Sequence, residues 1–166
     1  GGGYLFSKEL RWSYGTMKGR AGDFWQKWAS SKPIEELLET ICLAGFQGLY
    51  IDRYGYEDEG VFLEKRLTEA LHAGPMVATN QRYAFYDLQN HAQRLKNTVS
   101  ASEWADKKEK AVHPLFLSWS AGFSSLEGTP ENNWRWCSHE GVLYFDNPKR
   151  QPRKVEVAMS LATGYE

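Results

Sequence analysis

This sequence has little cysteine, no long apolar run and no excess of either charge. The 166-residue chain has two cysteines, Cys42 and Cys137, and they belong to no paired motif. A disulfide framework and a cysteine-ligated zinc site are therefore not predicted. The apolar runs fall well short of the roughly 20 residues that a membrane helix needs, and no signal peptide is visible at the N-terminus. These absences favour a soluble domain.

The balance of charge excludes a further class of function. The chain has 20 basic and 21 acidic residues, and its net charge is −1. Because this leaves no basic excess to hold a phosphate backbone, nucleic acid is not predicted as a partner. Phosphate-binding loops of the GxxxxGK[ST] and GxGxxG types are absent, and the histidines are scattered. Neither a cofactor nor a metal site is therefore predicted.

Aromatic residues are the component that exceeds the average. They make up 14% of the chain and include 7 tryptophans and 9 tyrosines. A domain of this size needs fewer to fill its core, so some of them are expected to line a surface or a groove. The alternative interpretation is a core that is rich in tryptophan.

The order of predicted elements divides the chain near residue 112 and predicts an α+β fold. Residues 1–9 are interpreted as a tag remnant or linker, and the bare ends favour a fragment of a longer protein. Residues 10–112 are predicted to form an α/β part, with a small mixed sheet and flanking helices. Residues 113–166 are predicted to form an antiparallel sheet or partial sandwich, because short strands alternate there with turn signals. The two parts are expected to pack as one compact unit.

The most secure element is a helix that follows Pro33. Its apolar residues have the spacing of one buried helical face, and Gly45 is predicted to end it in a left-handed conformation. A strand over 46–51 follows at once, then a helix over 58–71 with Val61 and Phe62 pointing inward. Further strands are predicted over 10–17, 76–79, 84–86 and 155–161, and residues 88–110 are predicted to be helical or partly loose.

Asp52 and Arg53 form the first candidate binding site. They follow a strand, and strand ends of α/β units are where such folds place ligands. A carboxylate and a guanidinium there are suited to a sugar hydroxyl or a phosphate. The structural alternative is an ion pair that braces the turn before Gly55. Arg11 lies among glycines near another strand end and is a weaker candidate for an anion site.

Glu127, Trp134 and Trp136 form the second candidate site. Trp134 and Trp136 are predicted to share one face of a strand, since side chains alternate with a period of two. Exposed indoles beside polar groups are typical of surfaces that bind sugars, and the alternative is that both indoles lie in the core. Glu127 could instead pair with Asp52 or Asp87 as a two-carboxylate hydrolase.

Three stretches resemble a group of bacterial proteins in their order and spacing: residues 10–20, residues 44–56, and residues 122–127 followed by 134–136. They are similar to the C-terminal soluble region of multi-spanning membrane glycosyltransferases and phosphoglycerol transferases. The likeness covers most of residues 10–160. Because it is a pattern of aromatics, glycines and an Asp-Arg pair, no catalytic residue is carried over from it.

The resemblance implies an extracytoplasmic (periplasmic) domain of an inner-membrane protein. Its partners would be an envelope saccharide or lipid-linked precursor and the transmembrane part of the same polypeptide. In such transferases the reacting groups lie mostly in loops at the membrane, so the fragment alone is not expected to catalyse a reaction. The leading hypothesis is an accessory domain that helps to bind an envelope saccharide or glycerol-phosphate substrate. A hydrolase and a purely structural or protein-interaction domain are the alternatives.

Overall fold

Helices and short antiparallel strands make up the computed structural model, which describes Ser13 and residues 17–129, 132–149 and 151–163. The predicted α+β fold class is confirmed. The chain divides into two units, Gly1–Pro114 and Leu115–Glu166, here called unit 1 and unit 2. None of the helices in these described ranges is long and apolar enough to cross a membrane.

Unit 1 contains every described helix and one small sheet. Its helices are α1 (Ala21–Ser30), α2 (Ile34–Leu43), α3 (Val61–Leu71), α4 (Gln89–Asn97) and α5 (Ala101–Val112). Its strands are β1 (Gly48–Asp52), β2 (Met76–Val77) and β3 (Tyr83–Asp87), and the short 3-10 turn Arg53–Gly55 follows β1.

The sheet of unit 1 is antiparallel, whereas the sequence predicted a mixed sheet. Its strand order is β1-β3-β2, and both pairings are antiparallel. The tight turn between β2 and β3 makes them a hairpin, whose strands must run in opposite directions. Because the hairpin places β3 between β1 and β2, no two neighbouring strands of this sheet run in the same direction.

The core of unit 1 lies between the helices and one face of this sheet. Helix α2 contributes its predicted apolar face. Gly45 follows the helix with a left-handed φ of 93° and ends it, as predicted. Strand β3 contributes Ala84 and Tyr86, which are 0% and 1% exposed. The alternate residues of the same strands point to the other face, so the core side fixes which side chains the sheet displays. The fully or largely buried cluster comprises Ile34, Leu38, Ile41, Cys42, Ile51, Leu67, Leu71, Ala84, Tyr86 and Leu88.

Helix α3 begins three residues later than predicted, and two of its predicted core residues are exposed. The Asp58 carboxylate accepts the N–H groups of Gly60 and Phe62, which shapes a turn before the helix. Val61 and Phe62 are 68% and 66% exposed, so the prediction that they point inward is wrong. Successive helical residues are about 100° apart, which places both roughly 120–140° from Leu67, the centre of the buried face.

The predicted helical segment 88–110 contains two helices with a break between them. Helix α4 ends at Asn97, and α5 begins after Ser100. The Ser100 hydroxyl accepts the N–H of Glu103, whose carboxylate accepts the N–H of Ser100 in return. This capping box begins α5 within a segment that was predicted only to be helical or partly loose.

Unit 2 consists of two-stranded antiparallel ribbons. Strand β4 (Phe116–Trp119) pairs with β7 (Leu143–Asp146), and β5 (Glu127–Gly128) pairs with β6 (Asn133–Trp134). A single bridge joins Phe123 and Cys137. All of the described residues of unit 2 are at least partly exposed.

Residues 155–161 do not form the predicted half-buried strand. Their alternating apolar residues, Val155, Val157, Met159 and Leu161, are 40%, 48%, 59% and 89% exposed. A strand requires a neighbouring ladder as well as an alternating pattern, and within the described ranges no strand pairs with this segment. The strand predicted over 10–17 lies outside the described residues except for Ser13 and Met17.

Candidate functional site

Asp52 pairs with Arg82 and not with its neighbour in the sequence. Arg82 Nε lies 2.8 Å from Asp52 Oδ1, and Arg82 Nη2 lies 2.6 Å from Asp52 Oδ2. The β1–β3 register creates this bidentate pair, because Asp52 lies opposite Tyr83. The hydrogen bonds from Arg82 hold the pKa of the Asp52 carboxyl below its ordinary value. Both side chains are more than a third exposed, so a ligand can reach the pair.

Two tyrosines flank the Arg82 guanidinium. Its carbon lies 4.7 Å from the ring centroid of Tyr54 and 4.9 Å from that of Tyr83. Tyr83 stacks in turn on Tyr50, with the ring centroids 5.3 Å apart. Tyr54 is 71% exposed. Unit 1 therefore displays a surface of aromatic rings around one ion pair, here called the tyrosine surface.

Arg53 is engaged within the fold. Its Nε and Nη2 lie 2.7 and 2.9 Å from the Glu64 carboxylate, and its Nη1 donates to the Gln81 carbonyl at 2.7 Å. The Arg53 and Glu64 side chains are 20% and 14% exposed. The buried Tyr86 hydroxyl donates to the backbone carbonyl of Glu64. Arg53 thus ties the end of β1 to helix α3 and to the β2–β3 turn, which is the geometry of a structural ion pair.

Glu127, Trp134 and Trp136 come together in unit 2. Glu127 lies directly opposite Trp134 in the β5–β6 pair, where facing side chains share one side of the ribbon. The Trp136 indole N–H donates to the Glu127 carboxylate at 3.3 Å. Trp134 and Trp136 are 44% and 55% exposed. Glu127 therefore has two exposed indoles as neighbours, one through a hydrogen bond and one across the ribbon, and we call these three residues the indole site.

Hydrogen bonds of Ser124 and Arg135 support the backbone of the indole site. Ser124 Oγ accepts the backbone N–H of Trp136 at 2.9 Å, and Arg135 Nη1 donates to the Ser124 carbonyl at 2.6 Å. The Arg135 guanidinium lies 5.1 Å from the ring centroid of Trp119.

The remaining predictions concern Arg11, the hydrolase partners of Glu127, and a metal or nucleophilic site. Arg11 lies outside the described residues. Asp52 and Asp87, the partners considered for Glu127 in a hydrolase, both belong to unit 1, whereas Glu127 belongs to unit 2. Within the described ranges no group of three or more His, Cys, Asp or Glu side chains is arranged to hold a metal ion. Burial raises the pKa of the Cys42 thiol to about 11, which suits a core residue and not a nucleophile.

Sequence reasoning missed the residues that complete the tyrosine surface. Arg82 and Asp52 are 30 residues apart, and Arg53 and Glu64 are 11 apart. Only the strand register brings the first pair together, and no local pattern encodes it. The alternation of Tyr50 and Asp52 against the buried Ile51 was the one signal that could have identified the displayed face.

Comparison with known proteins identifies no relative: no family description, curated protein or solved structure matches the chain.

Proposed function

We propose that this chain is an extracytoplasmic domain of a membrane-bound transferase of cell-envelope glycan or glycerol-phosphate biosynthesis. Its role would be to assist substrate binding, with the reacting groups elsewhere in the parent protein. The class of parent protein and its location rest on the resemblance of three sequence stretches. The binding role rests on one observation, the Glu127 carboxylate with two exposed indoles as neighbours.

The indole site has the chemistry that a saccharide requires. The C–H faces of a sugar ring are apolar and pack on aromatic rings, and here two indoles are accessible to them. A carboxylate accepts hydrogen bonds from hydroxyl groups, and charge-assisted bonds of this kind are the stronger ones. Because Ser124 fixes the backbone of Trp136, less conformational freedom is lost when a ligand binds.

The tyrosine surface offers a second place of contact with the same substrate class. The Asp52–Arg82 pair supplies acceptors and donors, and Tyr54 supplies an accessible ring. Asp52 therefore remains a proposed substrate-binding residue, together with Arg82. Arg53 has a positioning role, since it fixes the end of the strand that carries Asp52.

Tryptophan fluorescence during titration with envelope oligosaccharides tests the binding role. We expect a saturable change in emission, which Trp134→Ala or Trp136→Ala removes or strongly reduces. Trp104→Phe is the matched control, because Trp104 is a half-buried tryptophan in helix α5 of unit 1. A flat titration at millimolar oligosaccharide, with circular dichroism showing an intact fold, would overturn the proposal. Binding that survives both alanine substitutions would overturn the assignment of the site.

A further inference from the structure

The Arg135 side chain in unit 2 contains the one buried polar atom that lacks a hydrogen-bond partner among the described side chains. That atom is Nε, which is closed to solvent, and Arg135 as a whole is partly buried. Buried N–H groups are nearly always hydrogen-bonded, because an unpaired one has lost its hydration without compensation. This exception therefore requires a physical explanation.

The guanidinium charge of Arg135 also lacks a counter-charge. Arg53 and Arg82 each hold a carboxylate through two hydrogen bonds. The described contacts of Arg135 are instead with the Ser124 carbonyl and the Trp119 ring, neither of which carries a charge. An arginine does not lose its proton in proteins, and charges that are withdrawn from water are normally paired. Arg135 thus has the environment of a cation whose anion comes from a ligand.

Two contacts fix the orientation of this guanidinium. Nη1 donates to the Ser124 carbonyl at 2.6 Å, and the guanidinium carbon lies 5.1 Å from the ring centroid of Trp119. Phe123 meets the Trp119 ring edge to face, with the centroids 4.7 Å apart, and so restrains that ring. A group that is fixed before a ligand arrives loses less conformational freedom on binding.

The edge of Arg135 that remains unpaired is the edge that the other two arginines use. Arg53 and Arg82 both bind their carboxylates through Nε and Nη2, at 2.6 to 2.9 Å. Nη2 of Arg135 has no hydrogen bond among the described contacts, but unlike Nε it is open to solvent, so a ligand can reach it. Binding to Nε as well requires a small movement of the side chains that cover it. No described residue of unit 2 is fully buried, so these side chains are not packed on all sides.

We propose that Arg135 binds an oxyanion, the carboxylate or phosphate group of a ligand, through Nε and Nη2. The planar guanidinium matches two oxygens of either group with parallel, charge-assisted hydrogen bonds. The anion supplies both the partner that Nε lacks and the missing counter-charge. Two sources share this chemistry, an acidic substituent on a saccharide or glycerol unit and free inorganic phosphate. The inference does not rest on the proposed function, because it uses none of the three residues of the indole site.

Nitrogen–proton correlation spectra of the full chain test this site, since they show arginine Nε–H and indole N–H signals together. The probes are methyl glucuronide, glycerol 3-phosphate and inorganic phosphate, with methyl glucoside as the neutral comparison, all at constant ionic strength in chloride. We expect a saturable shift of the Arg135 Nε–H signal for an oxyanion probe and none for methyl glucoside. Tighter binding of the organic anions identifies a substituent as the ligand, and equal or tighter binding of inorganic phosphate identifies the free ion.

Substitution of Arg135 separates a binding role from a structural one. Arg135→Gln removes the charge and the planar fork, so we expect affinity for the best oxyanion to fall about tenfold or more, the factor that hydrogen bonds to a charged group supply. Arg135→Lys retains the charge without the fork and is expected to bind with intermediate affinity. The matched control is Lys154→Gln, which removes the same charge from an exposed residue of unit 2 and should bind as the native chain does. The Trp119 indole N–H signal reports affinity in every variant.

Three outcomes would each overturn the proposal. They are the absence of a saturable shift of the Arg135 signal with any oxyanion, an equal shift with methyl glucoside, and an unchanged affinity in Arg135→Gln. The first two are measured on the native chain, so they decide the matter if Arg135→Gln does not fold. Because the Trp134 and Trp136 indole signals are read in the same spectra, failure of this site is distinguishable from failure of the indole site.

Discussion

Both units are rich in aromatic residues, but they differ in how far they bury their apolar side chains. In unit 1 the helices cover one face of a sheet, and ten residues form a buried cluster. In unit 2 all described residues retain some exposure, and its exposed side chains include Leu117, Trp119, Tyr144 and Phe145. The difference follows from architecture, because a two-stranded ribbon has no second layer to bury its apolar face against.

This difference means that the same residue type has a different function in each unit. Trp25 is half-buried, stacks on Phe46 and donates its indole N–H to Ala111, so it serves packing. Trp134 and Trp136 are exposed beside Glu127 and are available to a ligand. An excess of aromatic residues therefore predicts a binding surface only when there are more of them than the hydrophobic core buries.

Removing a core side chain is expected to have the largest effect. Leu38 is 0% exposed in α2, whereas Leu117 in β4 is 48% exposed. Leu38→Ala should lower the free energy of unfolding by about 2–5 kcal/mol, since it removes buried methyl groups and leaves a cavity. Leu117→Ala should change it by less than about 1 kcal/mol. Urea unfolding followed by circular dichroism measures both, and equal losses would contradict the contrast between the units.

Gly128→Ala is expected to disrupt unit 2 and leave unit 1 intact. Gly128 has a φ of 98°, and an added Cβ would overlap the Asn132 carbonyl and lie 2.8 Å from the Trp134 ring. A side chain in such a conformation costs about 1–3 kcal/mol before the overlap is counted, so the β5–β6 ribbon should open and the indole site should be lost. Indole N–H spectra report this directly. Gly74→Ala, which has open space around its Cβ, is the control, and an unchanged Trp134 signal in Gly128→Ala would refute the expectation.

A feature could be predicted from the sequence when the residues that determine it lie close to one another along the chain. Helix α2 was predicted correctly because its apolar spacing, acidic first turn and Gly45 are all within a dozen residues. The capping box at Ser100 is equally local and was overlooked.

Features that depend on pairing between distant segments could not be derived. The alternation over 155–161 suggested a strand, but the pattern does not reveal whether a neighbour exists. The exchange of partners, with Asp52 bound to Arg82 and Arg53 bound to Glu64, follows from the β1–β3 register and from the position of α3.

A smaller difference between the units is expected in how far acid lowers their stability. The described ion pairs lie in unit 1, and the pKa of the Asp52 carboxyl is lowered from its ordinary value of 3.8, chiefly by the Arg82 hydrogen bonds. A carboxyl whose pKa is lower in the folded state contributes stability above its unfolded value, and this contribution is lost as the pH falls through the folded value. Asp52→Asn should therefore flatten the decline in unfolding midpoint below about pH 4. The control is Asp106→Asn, which removes a more exposed pair with Lys110 and should leave that decline unchanged. Parallel curves for the native chain and Asp52→Asn would show that the Asp52–Arg82 pair does not stabilise unit 1.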